Sequence, residues 1–126
     1  MPPLLAAVVT ELRALEGACA EAERALMQAD WSAFDQAARD QRRLTHALQN
    51  AMFAAEAERT PEFDEKITRR LQSVYLVREN QIQRIRQYQE RVSKRLSTIS
   101  KWKNASRSML SGYKPKRGLA SLDVSR

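Results

Sequence analysis

Side chains able to act as nucleophile, general base or metal ligand are few in this chain. It holds one cysteine, Cys19, and one histidine, His46. A nucleophile needs a base within hydrogen-bond reach and a third group to orient that base. No residues stand at a spacing that would build such a set. Cys19 occupies a helical position otherwise held by small and apolar residues, so it reads as a small buried hydrophobe. His46 follows Leu44 by two residues on a helical pattern, which places it at an exposed or rim position. One histidine excludes a His–His metal site, and one cysteine excludes an intramolecular disulfide or a multi-cysteine cluster. The acidic pairs Glu21/Glu23 and Asp35/Asp40 suit solvated helix faces better than an acid/base pair. Gly17 is isolated within a helical stretch, so no glycine-rich phosphate loop is present. The expectation is a protein that is not an enzyme and needs neither metal nor cofactor.

What remains is charge. The net charge is +7, unevenly spread. Residues 1–65 hold 6 Lys/Arg against 12 Asp/Glu, and residues 66–126 hold 16 against 3. Such asymmetry suits an acidic partner, nucleic acid or a membrane surface, or else acidic helices packed on a basic one within a bundle. Arg84, Arg91 and Lys94 lie along one side of a helix, with Arg95, Lys101 and Lys103 around it and Lys114, Lys116 and Arg117 beyond. These residues suit phosphate contacts. No helix-turn-helix spacing, zinc pattern or RNA-binding aromatic motif accompanies them, and Tyr88 and Trp102 fall on an apolar stripe rather than among the cations. An amphipathic membrane-surface helix is the weaker alternative, because a bundle explains the apolar face.

The elements that carry these residues are helices. Leu5, Val8, Leu12, Leu15, Cys19, Ala22 and Leu26 recur at alternating three- and four-residue spacing, a heptad seam behind Pro2 and Pro3. Asp30 is the expected N-cap of a second helix. Its seam runs through Phe34, Ala37, Gln41, Leu44, Leu48, Ala51 and Ala55, with Gln41 the one polar member. So short a connection makes helices one and two antiparallel. In "AERTPEFDEK", Thr60 caps, Pro61 takes the first helical position, and Glu62, Asp64 and Glu65 complement the helix dipole. Neither Gly nor Pro then occurs before Gly112. The expected fold is all-α: an antiparallel three-helix bundle or coiled coil with helices at about 4–28, 31–57 and a long third at 61–103. A short fourth helix is expected at 105–111, after a break near Asn104 in a Ser/Thr/Asn-rich run. Residues 1–112 would form one domain, followed by a basic, flexible tail at 113–126.

The third helix exceeds its partners in length, so it should project beyond them. Its apolar pattern continues over that part through Tyr88, Val92, Leu96, Ile99 and Trp102. An apolar stripe of this length needs a cover. The candidates are a folded-back C-terminus carrying Met109 and Leu110, a second copy in a homodimer, or another protein. The lone cysteine fits a reduced, cytoplasmic setting. No apolar run approaches the ~20 residues of a membrane span.

Two segments, "LLAAVVTELRALEGACAEAERALMQADWSAFDQAARDQRRLTHAL" and "VRENQIQRIRQYQERVSKRLSTISKWKNASRSMLSGY", resemble the small cytoplasmic chaperones of bacterial flagellar type III export, of the FliT/FlgN type. The first resembles the family's N-terminal helical hairpin, with Trp31 just after the turn acid. The second resembles its long helix, with Asn80 near the centre, then Arg91, Val92 and Leu96, and a tyrosine beyond the last helix. The resemblance covers roughly residues 4–113. It implies that the chain holds the helical C-terminal region of a late flagellar subunit, the filament cap protein or a hook-associated junction protein, and brings it to an export-gate subunit. It also implies roles: Ile85, Tyr88, Val92, Leu96 and Ile99 face the client, Met109 and Leu110 form an autoinhibitory cover, and Tyr113 docks on the gate. "KPKRGLASLDVSR" is more basic than the family pattern implies. The alternative is a helical dimeric adaptor or regulator whose basic C-terminal half binds nucleic acid.

Overall fold

The computed structural model describes residues 1–112, and side chains as far as residue 110. It contains α1 (Pro3–Met27), α2 (Trp31–Ala54), a single 3₁₀ turn (Glu56–Glu58) and α3 (Pro61–Gly112). No strand occurs among the described residues. The chain divides into a first unit, Met1–Ile85, and a second that begins at Arg86.

The boundaries have local causes. Asp30 caps α2, its Oδ1 accepting from the Ala33 N–H at 3.0 Å. The Thr60 hydroxyl accepts from the Phe63 N–H at 3.2 Å, and Pro61 opens α3. The residue before a proline is pushed out of the helical region. α2 must therefore end before Pro61, and it does so earlier than expected: its last turn tightens into the 3₁₀ segment, and Arg59 is extended.

Within the first unit α1 and α2 are antiparallel and α3 runs the same way as α1, as the pairs Glu16–Arg70 and Glu23–Arg84 record. Ala18, Ala22 and Ala25 of α1 and Ala37 of α2 are buried, and these small side chains let the two backbones come close. Val8, Leu12 and Leu15 fill the centre, with Leu44 and Leu48 from α2 and Ile67 and Val74 from α3. Burying each large aliphatic side chain contributes about 1.5–3 kcal/mol. The predicted α1 seam is buried except at Leu26, which is half-buried. On α3 the apolar residues Val77 and Ile82 are exposed, and the buried position between them belongs to Gln81.

Gln81 ties the three helices together. Its Nε2 donates to the Cys19 carbonyl at 3.0 Å on α1, and its Oε1 accepts from Gln41 Nε2 at 3.5 Å on α2. Both glutamines are buried, so these bonds offset a desolvation cost that unpaired amides would leave standing.

In the second unit every described side chain is exposed except the half-buried Ser106. α3 continues through Asn104 to Gly112, so the expected fourth helix at 105–111 is absent: those residues are the last turns of α3. Ser, Thr and Asn each cost only a few tenths of a kcal/mol in a helix that is already nucleated, and no proline intervenes. Met109 and Leu110 are exposed on the same helix as the stripe they were expected to cover, and here they do not lie on it.

Candidate partner-binding helix surface

In the second unit Tyr88, Val92, Leu96 and Ile99 follow one another at spacings of four, four and three residues. On a helix this places them within an arc of roughly 80°. All four are exposed, Leu96 at 61% and Ile99 at 52%, and Trp102 one turn on reaches 72%. Ile85, expected in the same set, is the last residue of the first unit and is half-buried. Arg91 and Arg95 lie on the flank of this row. With Tyr88 and Val92 they line a shallow groove of about 280 Å³. Tyr113 and the cations Lys114, Lys116 and Arg117 lie outside the described residues.

The first unit absorbs most of its own charge. Arg70 donates to Glu16 through Nε at 3.0 Å and through a terminal nitrogen at 2.5 Å, and Arg84 donates to Glu23. The Arg70 hydrogen bond holds the Glu16 carboxyl below its ordinary value and raises the guanidinium in turn. The Arg84 hydrogen bond depresses Glu23 in the same way, against the opposing effect of burial. Arg84 is thereby removed from the basic row expected with Arg91 and Lys94. On the hairpin, Glu21 pairs with Arg24, Asp35 with Arg39 and Asp40 with Arg43. The acidic pairs are thus ion-paired, and Glu23 is a helix-to-helix contact rather than a solvated surface acid. Residues 1–85 hold 11 Lys/Arg against 13 Asp/Glu, whereas residues 86–126 hold 11 against 2. The positive charge is therefore concentrated in the second unit and not merely in the second half of the chain.

Cys19 is buried, and burial pushes its thiol pKa up, away from the reactive thiolate. His46 is exposed on α2. Among the described residues no group of three His, Cys, Asp or Glu side chains is placed to hold a metal ion. None of the described helices is long and apolar enough to cross a membrane.

The structure adds a second apolar surface that the sequence reading did not single out. On the α3 part of the first unit, exposed Tyr75 and Leu76 line a shallow concavity with Leu71. The signal was present as apolar residues one step off the buried seam. No family model, curated protein or solved structure matches this chain.

Proposed function

We propose that this chain is an escort chaperone of the FliT/FlgN type, which binds a helical segment of a late flagellar subunit in the cytoplasm and hands it to the export gate. The observation that carries this reading is the exposed row Tyr88, Val92, Leu96 and Ile99 along one side of the second-unit part of α3. A helix laid along that row would remove its apolar surface from water, in a helix-on-helix mode of recognition. The resemblance of residues 4–113 supplies the identity of the clients, the filament cap protein or a hook-associated junction protein. It also supplies the gate-docking role of Tyr113.

The test is co-purification of the full chain with each of these subunits. A stable complex with one of them, weakened by polar substitutions at Val92 and Leu96, is expected. Absence of a complex with all of them removes the flagellar assignment. A second reading, a dimeric adaptor with a nucleic-acid-binding second half, is favoured by the excess of cations after Ile85. Duplex binding that falls steeply with salt would support it.

A further inference from the structure

Arg91 and Arg95 sit one turn apart beside the apolar row of the second unit. The residues three and four positions from Arg91 are Gln87, Tyr88, Lys94 and Arg95; those from Arg95 are Arg91, Val92, Thr98 and Ile99. None is acidic, so neither guanidinium meets a carboxylate along its own helix. Neither forms an ion pair among the described residues, whereas Arg24, Arg39, Arg69, Arg70 and Arg84 of the first unit each meet a carboxylate. Like charges at this spacing oppose the helix that carries them. The opposite flank of the row is uncharged at Gln89, Ser93 and Ser100.

We propose that this surface receives an acidic amphipathic helix of a partner protein. The partner's apolar seam lies on Val92, Leu96 and Ile99, and its carboxylates lie along the Arg91/Arg95 flank. The proposal rests on the reading of this part of α3 as a partner-binding surface and adds the chemistry of the partner. Charge complementarity selects this occupant. A second copy of the same surface would bring two strongly basic segments together, which like-charge repulsion opposes. A nucleic acid would satisfy the cations but leave Leu96 and Ile99 in water.

The test uses the full chain and two synthetic amphipathic peptides with one shared leucine seam, flanked by glutamates in one and by lysines in the other. The glutamate peptide should bind more tightly by roughly tenfold, and the difference should shrink with added salt. Arg91→Gln with Arg95→Gln should remove most of the preference while helix content by circular dichroism stays the same. Arg91→Lys with Arg95→Lys should keep most of it. Equal binding of the two peptides, no binding of either, or a preference undiminished in the double glutamine variant overturns the proposal. So does tighter, Arg91-dependent binding of a short DNA duplex. If a flagellar subunit binds but is indifferent to both arginines, the chaperone reading stands and this inference fails. If the glutamate peptide binds as expected and no flagellar subunit does, the reverse holds.

Discussion

Ala29 has a φ of 53°, a left-handed conformation that a Cβ opposes. It closes α1 in the pattern usually completed by glycine. The Asp30 N–H donates to the Ala25 carbonyl at 2.9 Å and the Ala29 N–H to the Leu26 carbonyl at 3.2 Å. Ala29→Gly should therefore stabilise the protein by about 0.5–1 kcal/mol, read as a higher urea midpoint, despite the added freedom of the unfolded chain. The ion pairs give a pH dependence with a definite sign. Glu16 and Glu23 both have depressed folded-state pKa values. Their stabilisation is complete above the unfolded carboxylate value and is lost as pH falls through the lower folded values. Because these side chains are about a third exposed, each pair contributes at most ~1 kcal/mol. Urea titrations below pH ~4.5 should lose less stability in Arg70→Gln than in the parent, because the pair is already absent. Cys19, by contrast, should react with a thiol reagent only after unfolding, since its sulfur is buried and protonated.

At the scale of elements, Gln81 holds α3 in register with α1 and α2. Gln81→Ala should cost about 1–3 kcal/mol, because Gln41 is left buried without its partner. Replacing both Gln41 and Gln81 by leucine should cost much less, and can leave a more stable bundle. Thermal denaturation of the two variants separates these outcomes. The two parts of α3 should also differ in amide exchange. Residues 61–85 pack on the core and should be protected, whereas residues 86–110, with nearly every side chain exposed, should exchange by local opening. The helices and the α1 seam were legible in the sequence because Leu5 through Ala22 obey one period with no polar interruption. The caps Asp30 and Thr60 were legible because each side chain acts on its own next turn. Gln81 was not, because a lone glutamine resembles a surface residue until its cross-helix partner is known. The continuation of α3 past Asn104 was not legible, because Ser, Thr and Asn weaken a helix there without stopping it. The row Tyr88–Ile99 and the absence of acidic residues one turn from Arg91 and Arg95 were legible from spacing alone, but the removal of Arg84 from the basic row was not, because its partner Glu23 lies on another helix.

For the whole molecule, the decisive feature is the division of charge. The first unit is close to neutral, and the second carries 11 Lys/Arg against 2 Asp/Glu. An exposed apolar row favours association, and like charge opposes association with a copy of itself. Light scattering at low ionic strength should therefore give a mass near 14.5 kDa, that of one chain. A dimer under those conditions would favour the adaptor reading. Salt should weaken heterotypic binding while leaving the fold intact, because the core of the first unit is apolar. The most direct measurement is titration calorimetry of the full chain against the filament cap protein and the junction proteins, with Val92→Ser/Leu96→Ser as the comparison. One subunit should bind the parent chain, and the double variant should lose affinity by about tenfold or more, with unchanged helix content. Binding by none of them, or equal binding by parent and variant, would contradict the assignment of this helix surface as the client site.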